Sequence, residues 1–121
     1  MPPEKAIKKD DDKTPLHLLP HIALEGIASI FGFGQKKYSE YNWSLGFKHS
    51  RLYSACLRHL FAYWKGEDND PESGKSHLYH AGCCIMMLIE HHDLQLGEDD
   101  RPTYLLNRQN IKFDENNEGR V

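Results

Sequence analysis

Apolar residues recur at helical spacing in three stretches of the chain, separated by turn-forming residues. Pro20, at a first helical position, starts the first stretch, which carries Ala23, Ile27, Ile30 and Phe31 on one side and ends near Gly32 to Gly34. Ser50 is the expected N-cap of the second, where Leu52, Tyr53, Cys56, Leu57, Leu60, Phe61 and Trp64 recur until Gly66 stops the helix. The third begins near Ser76, aligns Leu78, Ala81, Ile85, Leu88 and Ile89 on one stripe and fades by Gly97. Three such segments with short connections predict an all-α fold, a small antiparallel helical bundle.

The two ends differ from this middle. Residues 1–15 contain Pro2, Pro3, Pro15 and the charged run Lys8 to Lys13, and read as a flexible arm. The helical domain is expected over 16–101, followed by an irregular tail over 102–121. Scattered apolar residues in that tail (Tyr104, Leu105, Leu106, Ile111, Phe113) fit a short strand pair or packing on a neighbour equally well.

A chain of 121 residues supports one modest core. A deep site would therefore be completed by a second subunit, which predicts a homo-oligomer. The net charge of −3 argues against nucleic acid held by phosphate neutralisation, which needs a basic face. Any phosphates bound would need help from a metal ion. Three cysteines, two of them adjacent, make no disulfide framework and read as reduced thiols in a cytoplasm. The longest apolar run, around Ala81 to Ile89, is interrupted by Glu90, His91 and His92, so no membrane span and no export signal are expected.

Candidate chemistry gathers around the third helix. His77, His80 and Cys84 share a face of it, and the loop just before supplies Glu67, Asp68, Asp70 and Glu72. Mixed carboxylates and imidazoles suit a divalent ion such as Mg²⁺ or Mn²⁺. His59, three residues after Cys56, borders the buried side of the second helix and can reach the same place. Taken singly, each has a plainer reading: a histidine at the edge of an apolar face is usually a hydrogen-bonded core residue, and an acidic loop is usually solvated. Cys83 and Cys84 read as core packing, because zinc would want further cysteines or histidines at fixed spacing.

Lys36, Lys37, Lys48, Arg51 and Arg58 are the cations available for phosphate, with Arg51 and Arg58 seven apart on one helical face. Tyr38 and Trp43 offer stacking surfaces for a base, whereas Trp64 fits the core stripe better. No Walker loop, Rossmann fingerprint, zinc-finger spacing or nucleophile elbow is present.

Three blocks of sequence carry a resemblance. They are Leu18-Leu19-Pro20 through Phe33-Gly34-Gln35-Lys36-Lys37-Tyr38 to Asn42-Trp43, then Ser50-Arg51-Leu52 through Leu57-Arg58-His59-Leu60 to Gly66-Glu67-Asp68, then Asp70-Pro71-Glu72-Ser73-Gly74 through His77-Leu78 and His80-Ala81 to Asp99-Asp100-Arg101-Pro102. Together they resemble the phage dATP/dGTP diphosphohydrolase family, often grouped with the all-α, MazG-like nucleotide pyrophosphohydrolases. The resemblance spans about Lys9 to Pro102.

It implies metal-dependent hydrolysis of a purine deoxynucleoside triphosphate to monophosphate and pyrophosphate. Chemistry then suggests Glu67, Asp68, Asp70, His77 and His80 as metal ligands, with Glu67, Asp68 and His59 in catalysis and Glu25 in support. Lys37, Tyr38, Trp43, Arg51 and Arg58 would contact the nucleotide. One departure stands out: MazG-like enzymes carry Glu-x-x-Glu and Glu-x-x-Asp within helices, and no Glu-x-x-Glu stands in the second or third helix here, whereas the third has His77 and His80 at that spacing. This leaves a different ligand set, or a non-catalytic protein that sequesters a nucleotide or defence signal. A structural protein with no nucleotide at all is the third reading.

Overall fold

The computed structural model describes residues 4–103, so the expected tail over 104–121 lies outside the described residues. Three helices account for the fold: α1 over His21–Lys37, α2 over His49–Trp64 and α3 over His77–Leu94. Short 3₁₀ turns at Leu16–Leu18 and Asn42–Leu45 precede α1 and α2. No strand occurs among the described residues, only two isolated bridges. Residues 4–15 are exposed and carry neither helix nor strand.

The helix ends follow the sequence in part. Ser76 caps α3, its hydroxyl accepting from the Leu78 N–H at 3.1 Å. Ser50, the expected cap of α2, instead lies inside the first turn, with Lys48 at the cap. Its backbone N–H donates to Asp100 Oδ1 at 2.9 Å and its hydroxyl to Asp100 Oδ2 at 2.5 Å, so a distant carboxylate does the work of a local cap. α1 runs through Gly32 and Gly34 to Lys37, beyond the expected stop. Helical glycine costs only about 1 kcal/mol, too little to end a helix whose flank is packed.

α3 is central: both α1 and α2 pack on it, and those are the principal helix pairs. His49 meets His91, Cys56 packs with Ala81 and Cys84, and His59 meets His77, so α2 and α3 run antiparallel. α1 crosses α3 at small residues. Gly26 lies under the Tyr79 ring and Gly82 faces Ile27, and a Cβ on either glycine would fall within 2.6 Å of the facing side chain. The missing side chains permit the close approach.

The buried face of α3 differs from the expected stripe. His77, Ala81, Cys83, Cys84 and His91 are buried, whereas Leu78, Ile85 and Ile89 are exposed. Trp64, expected in the core, is 87% exposed, along with Tyr53 and Phe61. The physical reason is coverage. α2 has one packed neighbour, so only the row His49, Leu52 and Cys56 is sealed. The thiols, however, are core packing as expected. All three cysteines are buried and free, and burial pushes Cys83 up to about 12 and Cys84 up to about 11, so both stay protonated.

The far end of α2 and α3 is closed by a histidine pair that pattern alone did not single out. His91, fully buried, donates from Nδ1 to the Met87 carbonyl at 2.7 Å and accepts the Phe47 N–H on Nε2 at 3.1 Å. His49 Nε2 bonds the Leu96 carbonyl at 3.0 Å. Around them the backbone of Phe47–His49 is tied to Glu98 by two hydrogen bonds, and Gly97 turns the chain at φ 65°.

Asp99 and Asp100 make this corner sensitive to acid. The Arg101 side chain bonded to Asp99 takes its carboxyl down to about 2, and the Ser50 hydroxyl and N–H lower Asp100. Carboxyls depressed by folding stabilise the fold above the ordinary carboxylate value of about 4 and lose that contribution as pH falls toward about 2. The melting temperature should therefore drop over that window, and by less in an Asp99→Asn/Asp100→Asn variant. Identical acid profiles would rule out this role.

Candidate functional site

α1 and α2, both packed on α3, leave a cleft of about 860 Å³ between them, floored by α3. Phe31, Phe33 and Lys37 line it from α1, Leu52, Arg58 and His59 from α2, and His80, Cys83 and Met87 from below. Tyr38 and Trp43 stand on the rim, Trp43 edge-on to Phe31 with centroids 6.3 Å apart. An aromatic, largely apolar cleft with a few convergent polar groups is the usual form of a small-molecule site.

Those polar groups meet at one end, where the acidic loop folds back on α3. The loop is not merely solvated. The Glu67 N–H bonds the Ala62 carbonyl, the Asp68 carbonyl accepts from the His77 N–H, and Asp70 exchanges backbone bonds with Lys75 and Gly74. Asp70 Oδ2 also accepts the Ser73 N–H at 2.9 Å, an Asx-type turn that fixes its carboxylate. Burial raises the Asp70 carboxyl, but the two hydrogen bonds from Ser73 outweigh it and leave the group below its ordinary value, hence ionised.

Against this loop stand three imidazoles. His59 Nδ1 and His77 Nδ1 are 2.9 Å apart, and the His59 ring stacks on His80 with centroids 4.4 Å apart and planes within 11°. His77 Nε2 bonds Glu67 Oε1 at 2.6 Å, while His80 Nε2 bonds Ser73 Oγ at 2.7 Å and lies 3.8 Å from Asp70 Oδ2. Burial, then the neighbouring imidazoles, lower His59; burial also lowers His80 against the pull of Asp70. Both are therefore neutral near pH 7, with nitrogen lone pairs available. Donor atoms of His59, Asp70 and His77 lie within 4.8 Å of one another, and two imidazoles with a carboxylate are a donor set that fits a divalent ion.

The sequence-derived candidates are thus partly gathered. His59, Asp70, His77 and His80 converge, and Lys37, Tyr38, Trp43 and Arg58 line the adjoining cleft. Glu67 touches the cluster only through His77, and the Asp68 side chain is exposed, its backbone alone serving His77. Arg51 and Glu25 are exposed and outside the cleft lining. Arg51 and Arg58, expected on one face, therefore separate: Arg58 lines the cleft, while Arg51, in the first turn of α2, does not. Lys37 is paired with Glu72 at 2.5 Å across the cleft mouth, a clasp between α1 and the loop. Ser73 was missed; the Asp-x-x-Ser spacing of an Asx turn was its only sequence signal.

No helix among the described residues is long and apolar enough to cross a membrane. The family described as dATP/dGTP diphosphohydrolase, N-terminal, matches residues 3–101. The chain is also 35% identical over 95 residues to the dATP/dGTP diphosphohydrolase of Salmonella phage PMBT28, covering 78% of this chain and 32% of that protein. It thus spans about a third of the length of the curated relative it matches. No solved structure matches. With its sequence matched nearly end to end across the described helices and the loop that bears the cluster, the chain belongs to the dATP/dGTP diphosphohydrolase N-terminal family.

Proposed function

We propose that this chain binds a purine deoxynucleoside triphosphate, dATP or dGTP, in the α1/α2 cleft and hydrolyses it to monophosphate and pyrophosphate with a divalent ion. The observation that carries the reading is the imidazole and carboxylate cluster opening onto an aromatic-lined cleft in a chain of this family. The base would stack against Trp43 and Tyr38 on the rim. The phosphates would run toward Arg58 and Lys37, two cations that reach the cleft from opposite walls. His59, Asp70 and His77 would hold the ion, which when bound, Mg²⁺ or Mn²⁺ included, screens triphosphate charge and polarises phosphoryl oxygens. His80, neutral and held by Ser73, is positioned to accept the proton of an attacking water.

One observation favours the non-catalytic alternative, a protein that sequesters the nucleotide. The family description concerns an N-terminal domain, and the chain spans only about a third of the relative that carries the enzyme name. Purified protein incubated with each dNTP and Mg²⁺ or Mn²⁺, with products separated by anion exchange, decides between them. Metal-dependent dAMP or dGMP with pyrophosphate establishes the hydrolase. Intact triphosphate together with stoichiometric binding establishes the sequestering protein, and neither result removes both.

The Lys37–Glu72 clasp gives a sharper test of the phosphate path. Lys37 must exchange Glu72 for phosphate, so Glu72→Gln should tighten binding of a non-hydrolysable dATP analogue a few-fold in calorimetry. Unchanged or weaker binding means that Lys37 does not reach the phosphates. The exposed rows on α2 and α3 support self-association into a homo-oligomer, and the free thiols support a cytoplasmic setting in the host cell, with neither membrane nor nucleic acid as partner.

A further inference from the structure

The cluster carries more detail than a generic divalent site. His77 is 4% exposed, and its ring is fixed at both nitrogens. Glu67 accepts the Nε2–H at 2.6 Å, so Nδ1 is the unprotonated nitrogen and accepts from His59 Nδ1–H at 2.9 Å. A carboxylate that takes the outer N–H of an imidazole is the usual support of a metal-bound histidine, since it sets the tautomer and the ring plane. His59 is likewise held in plane by its stack on His80.

The spacing of the two nitrogens is that of a hydrogen bond, and an ion held there would take the place of the shared proton. Two imidazoles out of three protein donors argue against Mg²⁺, which takes oxygen ligands and parts reluctantly with its water.

We propose that His59 Nδ1, His77 Nδ1 and an Asp70 oxygen form a site for a divalent first-row transition ion in preference to Mg²⁺, with Glu67 as its positioning residue. His80 stays outside it, its Nε2 engaged by Ser73. The inference rests on the metal-dependent reading above and narrows its ion from Mg²⁺ or Mn²⁺ to the transition-ion class, but it is tested on metal binding alone.

The full chain would be stripped with chelator, checked for helix content, and titrated with Co²⁺, following visible absorption and metal content. One Co²⁺ per chain with visible absorption from the bound ion is expected, persisting in a tenfold excess of Mg²⁺ and lost in His59→Asn and Asp70→Asn. Glu67→Gln should retain one ion at about 10–100-fold lower affinity. Because His77 is buried and its variant risks misfolding, the partly exposed His59 carries the comparison. Absence of a stoichiometric band, displacement by Mg²⁺, or full binding by His59→Asn overturns the proposal. Bound Co²⁺ without pyrophosphate release would leave the site standing and the hydrolase reading refuted; Mg²⁺-driven turnover that ignores His59→Asn would do the reverse.

Discussion

Asp70→Asn is expected to lower pyrophosphate release from dATP or dGTP by about 10²–10⁴-fold while leaving the fold intact. Stabilisation of phosphoryl charge by a bound ion is worth several kcal/mol, and each 1.36 kcal/mol is tenfold in rate, which gives about that range. The fold should survive because the asparagine carbonyl oxygen can still accept the Ser73 N–H at the position of Asp70 Oδ2. What is lost is the negative charge that faces His59, His77 and His80. Steady-state rates with matched circular dichroism read the result. Turnover within a few-fold of the parent would show that Asp70 is a loop-forming residue only, and the proposed ligand set would fall with it.

Gly97→Ala should be the most destabilising single methyl in the described chain. A Cβ at this position would sit 1.9 Å from the Phe47 carbonyl oxygen and 2.9 Å from the Phe47 backbone nitrogen, and φ is 65°. Those atoms are backbone, so no side chain can swing away. The two strands of chain must separate, and with them go the Glu98 N–H bond to Phe47 and the His49 N–H bond to Glu98. Left-handed strain of about 1–3 kcal/mol and two backbone hydrogen bonds of about 1 kcal/mol each put the loss at about 3 kcal/mol or more. Gly66→Ala is the control, because it shares a positive φ of 104° but meets nothing within 4 Å. Denaturant melts should separate the two variants clearly. Equal midpoints would mean that backbone strain, not the contact with Phe47, governs this turn.

The same corner shows why part of the molecule was illegible in sequence. His91 and His92 are neighbours at the end of one apolar run, yet His91 is fully buried with both nitrogens bonded and His92 is exposed. Nothing local distinguishes them, since the Phe47 N–H that selects His91 lies 44 residues away. Glu67 is a similar case. Its place in an acidic loop suggested a ligand, but the loop's backbone bonds to Ala62 and His77 turn it toward the outer nitrogen of His77 instead.

Local physical chemistry settled the rest. Helical periodicity, the Ser76 cap and the glycines at 66 and 97 were enough to give three helices, because capping and backbone freedom act within one or two turns. The thiols, the absence of a long apolar helix and the three family-like blocks were equally local. Which apolar row is sealed was decided only by tertiary packing: with α3 as the principal helix packed on α2, Cys56 is buried and Trp64, on the same helix, is not. The cluster itself belongs to that second class. The sequence supplied His59, Asp70, His77 and His80, but their meeting at one end of a cleft required the antiparallel pairing of α2 with α3 and a loop pinned by its own backbone, and distances between residues 10 to 21 apart are set by that packing, not by their spacing.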